Sequence, residues 1–301
     1  MKFEVTILGS NSATPVINRN PSGQLLNCND KYYLIDCGEG TQVQMLRFNL
    51  KAARIDHIFI THLHGDHYFG LIGLLSTLHL NGRIKPMHIF GPVGLQEILE
   101  LQFKYSDTKL RYPIEFHSCS SEKSEQIFEN SDLVVKTIIL NHRIPCTGFL
   151  FQQTPRQRKI IKDKIDEVPN AYYSALKKGK DVELPDGKIL KSVDFTIEPE
   201  PARCYAYCSD TLMDERYFST INHCDTLYHE ATFLHELVDR ANETHHTTAQ
   251  QAGQVAKINH VKKLLIGHFS SRYKTIQPLL EEAKTVFDNT ELAVEGKTFQ
   301  L

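Results

Sequence analysis

The sequence predicts an α/β fold built from two halves in which the same order of elements recurs. In each half, short apolar runs typical of buried strands are followed by polar loops and then by runs with helical periodicity. The halves show no repeat at the level of residue identity. If they form two sheets that pack face to face, their polar loops meet at one edge, so we expect a functional site there.

The first half supplies most of the predicted strands. Residues 3–8 alternate apolar and polar side chains and end at a glycine, as strands commonly do. A short polar turn at residues 29–31 separates the next two strands, and glycines at 38 and 40 precede the first predicted helix. The predicted strands are 3–8, 25–28, 32–36, 57–60, 87–90 and 133–140, and the helical runs are 41–48, 71–75 and 94–105.

The second half continues with shorter apolar runs, each followed by a polar loop. An amphipathic pattern, with apolar residues on one helical face, predicts the last helix. The predicted strands are 204–208, 226–229 and 263–266, and the predicted helices are 248–258 and 275–287.

Composition describes an ordinary globular protein and argues against a membrane span. The chain has 301 residues, 41% of them hydrophobic, and a net charge of −2, but it contains no run of 18 apolar residues. Seven cysteines, an odd number without regular spacing, predict a reducing and therefore cytoplasmic location. Because the net charge is close to neutral, a surface that binds nucleic acid must be local.

Residues 153–200 differ in character and predict an insertion that projects from a single domain of residues 1–301. Core-type apolar residues are few in this segment, and basic residues cluster. A solvated charged surface and an RNA-binding surface both account for it, because clustered lysine and arginine bind phosphates and tyrosines stack on bases. The basic residues of interest are Arg156, Arg158, Lys159, Lys162 and Lys164.

Residues 61–67, Thr-His-Leu-His-Gly-Asp-His, form the most informative stretch of the chain. The stretch connects a predicted strand to a predicted helix, so its side chains lie on a loop at a strand end. His62 and His64 alternate and can turn one way, while Asp66 and His67 turn another. Imidazole and carboxylate are both zinc ligands, so we predict two neighbouring metal ions.

Four more ligand-type side chains follow or end predicted strands. Each alone is a weak signal, because polar residues at strand ends are common. Together they provide what two zinc ions still need, at roughly four protein ligands for each ion with water bridging. These residues are His142, Asp210, Glu230 and His268.

The chain resembles the ribonuclease Z family, in its short form, within the metallo-β-lactamase superfamily. The superfamily signature His-x-His-x-Asp-His is present at residues 62–67, and more specific family motifs follow in order over nearly the whole chain. These motifs are Asp210-Thr211, His229-Glu230-Ala231-Thr232, His246-Thr247-Thr248 and His268-Phe269-Ser270-Ser271-Arg272-Tyr273.

This resemblance implies a four-layer αββα sandwich with a tRNA-binding arm at residues 153–200, and a homodimer. It implies an endoribonuclease that removes the 3′ trailer from precursor tRNA, leaving a 3′-hydroxyl on the tRNA and a 5′-phosphate on the trailer. It also implies two zinc ions per chain. The first would be held by His62, His64, His142 and Asp210, and the second by Asp66, His67, His268 and the shared Asp210.

Cleavage of a phosphodiester requires one group that activates water and another that protonates the leaving oxygen. Asp66 can orient the water and accept its proton as the general base. His246 is the candidate proton donor, and Glu230 can fix its other ring nitrogen. Arg272 can bind a phosphate through its planar guanidinium group. His245 is expected to face solvent.

The sequence departs from the family pattern at three places. The arm usually carries Gly-Pro near its tip, where this chain has Pro169-Asn170-Ala171, and the family's Gly-Asp-Thr is Ser209-Asp210-Thr211, which keeps the ligand. The third departure is in the motif that follows the first strand. In the loop after the first strand, the family carries Pro-x-Lys-x-Arg-Asn, which helps to sense the tRNA 3′ end. This chain has Pro15-Val16-Ile17-Asn18-Arg19-Asn20, so isoleucine stands in place of the family lysine.

Two alternatives to a tRNA-processing enzyme stay open on the sequence. Another hydrolase of the same fold, such as a glyoxalase-II-like thioesterase or a small phosphodiesterase, would share the central motif but would not need the insertion. A non-catalytic RNA-binding protein would keep the fold around a decayed site. Because every ligand position is filled, the sequence favours an enzyme.

Overall fold

The computed structural model describes residues 2–301 and divides the chain into two compact units. The first unit comprises Met1–Gln152 and Arg203–Leu301, and the second comprises Gln153–Ala202. Met1, which belongs to the predicted domain, lies outside the described residues.

The first unit contains two seven-stranded sheets, which confirms the predicted α/β fold. The first sheet consists of β1 (Phe3–Gly9), β2 (Gly23–Cys28), β3 (Lys31–Cys37), β4 (Ile55–Phe59), β5 (Met87–Gly91), β6 (Ile114–Ser118) and β18 (Thr298–Gln300). The second consists of β7 (Gln126–Glu129), β8 (Leu133–Ile139), β9 (Thr147–Gln153), β14 (Cys204–Cys208), β15 (Thr226–Glu230), β16 (Lys263–Gly267) and β17 (Thr290–Leu292).

Both sheets mix antiparallel and parallel pairs. The spatial order of the first sheet is β18-β1-β2-β3-β4-β5-β6, and that of the second is β17-β16-β15-β14-β9-β8-β7. The run from β3 to β6 and the run from β14 to β17 are parallel. Parallel neighbours end at the same side of a sheet, so the loops that follow these strands are brought together.

Helices connect the strands of the first unit. They are α1 (Thr41–Arg47), α2 (Gly65–Tyr68), α3 (Leu71–Leu80), α4 (Leu95–Tyr105), α7 (Phe218–Ile221), α8 (Val238–Thr244), α9 (Ala249–Ile258) and α10 (Gln277–Lys284). Three short 3₁₀ helices lie at Ala52–Arg54, Glu215–Tyr217 and His235–Leu237. No helix formed by residues 2–301 is long and apolar enough to cross a bilayer.

Side-chain alternation along the strands produces the four layers. Phe149 and Phe151 of β9 pack in the core between the two sheets, against Phe59 of the first sheet. Leu150 lies between them in sequence and joins the core beneath α9 and α10 instead. A third core lies between the first sheet and α1, α3 and α4. Period-two alternation thus gives each sheet two buried faces, and the predicted αββα sandwich is confirmed.

Five strands of the two large sheets are not predicted by the sequence patterns. One is β9, and the others are the four edge strands, β6, β7, β17 and β18. Strand β6 has no fully buried side chain, and β17 and β18 have three residues each. Edge strands bury less apolar surface, so their sequences carry a weaker alternation signal.

The second unit has its own small core and secondary structure. It contains β10 (Lys159–Ile160), β11 (Val182–Glu183), β12 (Ile189–Leu190), β13 (Thr196–Ile197), α5 (Tyr173–Lys177) and α6 (Ser192–Phe195). Two 3₁₀ helices lie at Lys162–Glu167 and Asn170–Tyr172. Its buried apolar residues are Val168, Leu176, Leu190 and Phe195. The unit therefore folds around a cluster of its own rather than forming an extended loop.

Candidate metal centre and active site

The structure brings all seven predicted metal ligands together where the strands of both sheets end. His62 and His64 follow β4, while Asp66 and His67 lie in α2 directly after them. The remaining ligands follow three strands of the second sheet: His142 after β8, Asp210 after β14 and His268 after β16. The ligands thus converge because both sheets present strand ends to the same edge.

Four side chains form the first ligand group, with their ligand atoms within 4.8 Å of one another. His64 Nδ1 lies 3.1 Å from His62 Nε2 and 3.2 Å from His142 Nε2. Asp210 Oδ2 lies 3.6 and 3.8 Å from the same two Nε2 atoms. Ligands about 2 Å from a tetrahedral zinc ion are separated by about 3.3 Å, so this spacing fits one ion.

Asp66, His67 and His268 form the second ligand group. Asp66 Oδ2 lies 3.3 Å from His67 Nε2 and 3.4 Å from His268 Nε2. Asp210 Oδ1 lies 3.3 Å from His67 Nε2 and 3.2 Å from His268 Nε2. The two oxygens of Asp210 therefore face different groups, and this carboxylate joins them.

Four of these histidines are held with their Nε2 atoms turned toward the centre, because each Nδ1 forms a hydrogen bond on the other side. The acceptors are Thr61 Oγ1 for His62 (2.9 Å), Asp36 Oδ2 for His67 (2.8 Å), the His245 carbonyl for His142 (2.9 Å) and Thr232 Oγ1 for His268 (2.9 Å). When Nδ1 carries the proton, Nε2 offers a lone pair, as a metal ligand must. Among residues 2–301, the buried Nε2 of His67 has no hydrogen-bond partner, which a metal ion would supply.

The charges of the centre also fit a divalent cation. Four carboxylates are almost completely buried there: Asp36, Asp66, Asp210 and Glu230. In the described part of the chain, their ion-pair partners are histidines. Buried anions are costly unless a cation compensates them, so a divalent metal ion stabilises this arrangement.

Burial favours the neutral form of two ligand imidazoles. It lowers the pKa of His142 to about 4 and holds the pKa of His62 well below its ordinary value. Both rings are therefore neutral near pH 7. Neutral imidazole is the form that binds a metal ion.

Asp36 is a residue of the candidate site that the sequence patterns do not predict. Its carboxylate accepts hydrogen bonds from the Thr61 amide (2.9 Å), the Tyr207 hydroxyl (2.9 Å) and His67 Nδ1 (2.8 Å). It is fully buried at the end of β3, with φ at 53°. Asp and Asn adopt this left-handed conformation more readily than other non-glycine residues, so the backbone places Asp36 under the metal centre at low cost.

Replacing Asp36 by Asn tests its role in orienting the ligands. We expect Asp36→Asn to lower metal affinity by about 10–100-fold, because the charged acceptor that fixes His67 is removed while the backbone conformation is kept. Competition with a chromophoric chelator measures this affinity. Asp56→Asn, which removes an acid paired with Arg83 outside the centre, is the matched control. Unchanged affinity in Asp36→Asn would rule out the orienting role.

The predicted proton donor and its partner are in contact. His246 Nδ1 lies 2.8 Å from Glu230 Oε1, and Glu230 is fully buried. Glu230 also accepts hydrogen bonds from the Thr211 amide at 2.9 Å and the Thr232 hydroxyl at 2.5 Å. Burial lowers the pKa of His246, but the charge and hydrogen bond of Glu230, together with the charges of Asp210 and Asp66, raise that pKa to about 9. His246 is therefore protonated near pH 7.

The expectation that His245 faces solvent is wrong. Its side chain is half-buried with Nδ1 enclosed, and its carbonyl accepts the hydrogen bond from His142. His245 ends α8 in the left-handed conformation, with φ at 56°. The sequence argument assumed a regular helix or strand through residues 245 and 246, and this change of backbone direction breaks that assumption.

An open pocket lies over both ligand groups. Asp66, Asp210 and His246 line it, together with two arginines that the sequence analysis did not consider, Arg143 and Arg240. Both arginines are exposed, as a group that contacts an anionic substrate must be. Their only sequence signal is weak: Arg143 directly follows a ligand, and Arg240 is one basic residue on a polar helix.

Arg272 lies beside two residues of this pocket. Its Nε is 3.3 Å from Ser270 Oγ, and its guanidinium group is 5.1 Å from the centroid of the Phe233 ring. Phe233 and Ser270 both line the pocket. Arg272 itself is exposed, so its charge is accessible to a phosphate.

The loop that departs from the family motif has an apolar tip. Ile17 is 90% exposed, whereas Arg19 donates hydrogen bonds to the Tyr273 carbonyl at 3.0 Å and to Asn11 Oδ1 at 3.1 Å. Arg19 therefore ties this loop to the segment that follows His268.

The predicted RNA-binding residues of the second unit fall into two classes. Arg156, Lys159 and Lys162 are exposed. Arg158 is half-buried, because its Nε donates to Thr196 Oγ1 at 2.6 Å and Nη1 lies 3.4 Å from Glu198. The guanidinium group of Arg158 is thus partly engaged in contacts within the second unit.

Comparison with known proteins agrees with this geometry. The chain is 50% identical to ribonuclease Z of Cytophaga hutchinsonii over 301 residues, which are 99% of this chain and 96% of that protein. It is 43% identical to ribonuclease Z of Bacteroides fragilis, covering 100% and 99% of the two chains. The crystal structure of human tRNase Z, short form, is 29% identical, with a TM-score of 0.72 over 99% of this chain and 98% of that chain.

Two further comparisons concern the fold. The metallo-β-lactamase fold protein YhfI of Bacillus subtilis has a TM-score of 0.69 at 19% identity, covering 99% of each chain. The model of the family described as Anti-Pycsar protein Apyc1 matches residues 3–161, and over these residues the chain belongs to that family. Over its full length the chain belongs to the ribonuclease Z family, metal-dependent endoribonucleases of tRNA 3′ processing, as its motifs predict.

Proposed function

We propose that this protein uses two zinc ions to cut the 3′ trailer from precursor tRNA, leaving a 3′-hydroxyl on the tRNA and a 5′-phosphate on the trailer. The observation that carries the proposal is the placement of Asp210. Its two oxygens lie 3.2–3.8 Å from Nε2 atoms of two separate ligand groups. When bound, two adjacent zinc ions acidify a water and offset negative charge on a phosphate.

The surrounding side chains supply the remaining chemistry. Asp66, which lines the pocket, orients the attacking water and accepts its proton. His246 donates a proton to the leaving 3′-oxygen, while Glu230 holds the imidazole in position and stabilises its charged form. The remaining pocket charge comes from Arg143, Arg240 and Arg272, which hold the phosphate and the neighbouring backbone.

The second unit is proposed to bind the tRNA. The segment 153–202 contains ten Lys and Arg against nine Asp and Glu, so its net charge is only +1. Its two basic runs are nevertheless joined, because the Arg158 amide donates to the Lys177 carbonyl at 3.0 Å. Arg158, Lys159, Lys177 and Tyr173 line one pocket. Such a local concentration of positive charge beside an aromatic ring suits RNA phosphates and bases.

Neutralising this basic surface is expected to weaken tRNA binding without affecting chemistry. Arg156→Gln combined with Lys159→Gln should reduce the slope of log affinity against log salt concentration by about one unit for each phosphate that the variant no longer binds. Lys188→Gln combined with Lys191→Gln removes the same charge elsewhere in the unit and is the control. If both double variants bind tRNA with the wild-type salt slope, the basic runs are not the binding surface.

The homodimer and the cytoplasmic location are also part of the proposal. Three exposed apolar side chains lie on two helices of the first unit: Val43 and Leu46 on α1, and Leu80 on α3. Burial of such side chains against a second copy of the chain would be favourable. The cysteines of residues 2–301 form no disulfide bond, in keeping with a reducing compartment.

A cleavage assay with mapped product ends tests the proposal and its alternative. We expect the purified enzyme to cut a precursor tRNA once, directly 3′ of the mature sequence, with two zinc ions per chain. A small-molecule phosphodiesterase or thioesterase would instead act on a simple diester or thioester and would be indifferent to removal of residues 153–202. Indifference to that deletion, without tRNA cleavage, would overturn the proposal.

A further inference from the structure

A second group of metal-ligand side chains lies apart from the candidate metal centre. It consists of His88 on β5, and Glu115 and His117 on the edge strand β6. The two strands are parallel, with His88 opposite Glu115. His88 is also opposite His57, the middle residue of β4, whereas the metal centre lies beyond the carboxyl end of that strand. The ligands of the two groups therefore have no residue in common.

Two of the three separations between ligand atoms in this group match those of a tetrahedral site. His88 Nδ1 lies 3.3 Å from Glu115 Oε2 and 3.3 Å from His117 Nε2, and all three atoms lie within 4.8 Å of one another. Ligands about 2 Å from one zinc ion are separated by about 3.3 Å. Two imidazoles and one carboxylate also form a ligand set that zinc uses in proteins, with water in the fourth position.

Ring stacking fixes the two histidines of the group. The His88 ring stacks on His57 at 5.0 Å, with an interplanar angle of 12°, and on His117 at 5.6 Å. His117 in turn stacks on the buried ring of Phe90 at 4.3 Å. This ladder of rings limits the freedom of the side chains, so little conformational entropy would be lost on binding an ion.

The group is also accessible from solvent. The side chain of Glu115 is 51% exposed and that of His88 is 30% exposed. An ion can therefore enter without any movement of the strands. An ion held here would link β5 to β6, the last strand of its sheet, and would fasten an edge that backbone hydrogen bonds support on one side only.

We propose that His88, Glu115 and His117 bind a third divalent transition-metal ion, of which Zn²⁺ is the best match, and that this ion fastens the edge strand β6. The site does not belong to the catalytic machinery, and the proposal is independent of the proposed function. It predicts zinc binding beyond the amount that the catalytic ligands hold.

Metal counting on the holoenzyme tests this proposal. The wild-type enzyme, dialysed against buffers of increasing free Zn²⁺ and measured by plasma mass spectrometry, should bind one more zinc ion per chain than Glu115→Gln. Glu115→Gln should weaken this last binding step by at least about tenfold, because the anionic ligand becomes a poorly coordinating amide. Glu115 is half-exposed, so this variant is expected to fold. His117→Gln should give the same result.

His260→Gln is the matched control. His260 and His223 form another stacked pair, with ring centroids 5.3 Å apart, but belong to no three-ligand group within residues 2–301. This control should keep the additional ion. Diffraction data collected at the zinc edge should place that ion between His88 and His117. Equal zinc counts in the wild type and Glu115→Gln, or equal loss in His260→Gln, would overturn the proposal.

Discussion

Asp210→Ala is expected to empty both ligand groups at once and to lower RNA cleavage by at least about 10³-fold. The variant removes the Oδ2 atom from the first group and the Oδ1 atom from the second. A catalytic metal is worth several kcal/mol of transition-state stabilisation, and about 4 kcal/mol corresponds to this factor. Plasma mass spectrometry of the purified variant, beside its cleavage rate on precursor tRNA, measures both effects.

Asp214→Asn provides the control for Asp210→Ala. Asp214 lies four residues further along the same loop, and its carboxylate pairs with Arg216. We expect this control to keep its metal ions and its activity. If Asp210→Ala retained two metal ions with the wild-type affinity, Asp210 would not be the shared ligand and the two-group assignment would be wrong.

His246→Ala should lower turnover by about 10²-fold or more while leaving both metal ions in place. The reason is the loss of the proton donor for the leaving oxygen, a contribution of about 10²–10⁴ in typical enzymes. His246 belongs to neither proposed zinc-ligand set, so metal content separates this variant from Asp210→Ala. Single-turnover cleavage of precursor tRNA, with binding measured separately, isolates the chemical step.

Glu230 should act through His246, so the effects of substituting the two residues on the cleavage rate should not be additive. Glu230→Gln keeps the shape of the side chain but removes the charge that stabilises the protonated imidazole. We expect the double variant to be little slower than His246→Ala alone, because the two residues work as one unit. A double variant whose defect equals the product of the single defects would show separate roles.

The ligands could be predicted from sequence because each lies next to an apolar run. His62 to His67 form a compact motif, and His142, Asp210 and His268 each follow a strand of strong hydrophobic character. Parallel pairing brings the ends of β14 and β16 to one side of the second sheet, but their meeting with the ends of β8 and β4 depends on the strand order of that sheet and on how the two sheets pack. The local pattern thus proposes these residues as ligands, while the family resemblance supplies their division into two sets and separates Glu230 from them.

The residues that orient the ligands could not be predicted in the same way. Asp36 contacts His67 across 31 positions in sequence and Tyr207 across 171. Such contacts depend on which strands are neighbours and on their register, and no local pattern contains that information. The same reason hides the group at His88 and His117, which only the pairing of β5 with β6 brings together.

Strand β9 shows how an insertion obscures a strand. It is an interior strand of the second sheet, between β14 and β8, and is almost completely buried. Its apolar core, Phe149 to Phe151, is short, and the polar segment of the second unit begins directly after it. A strand is recognised in sequence when its apolar run is bounded on both sides by turn residues. Here the residues that follow the run belong to the second unit and not to a turn.

The pairing of β9 with β14 makes the second unit an insertion between two neighbouring strands, where a short turn could stand instead. These strands are antiparallel neighbours with Gln152 opposite Cys204, so the whole second unit occupies the position of a hairpin turn. Replacing about 50 residues by a turn of four halves the length of the closed loop between three and four times. The smaller entropy cost of closing the loop favours the folded sheet by about 2 kcal/mol. Loop closure therefore gives no reason for the β9–β14 pair to need this unit, and on that ground the length of the insertion can change while the sheet that carries Asp210 is kept.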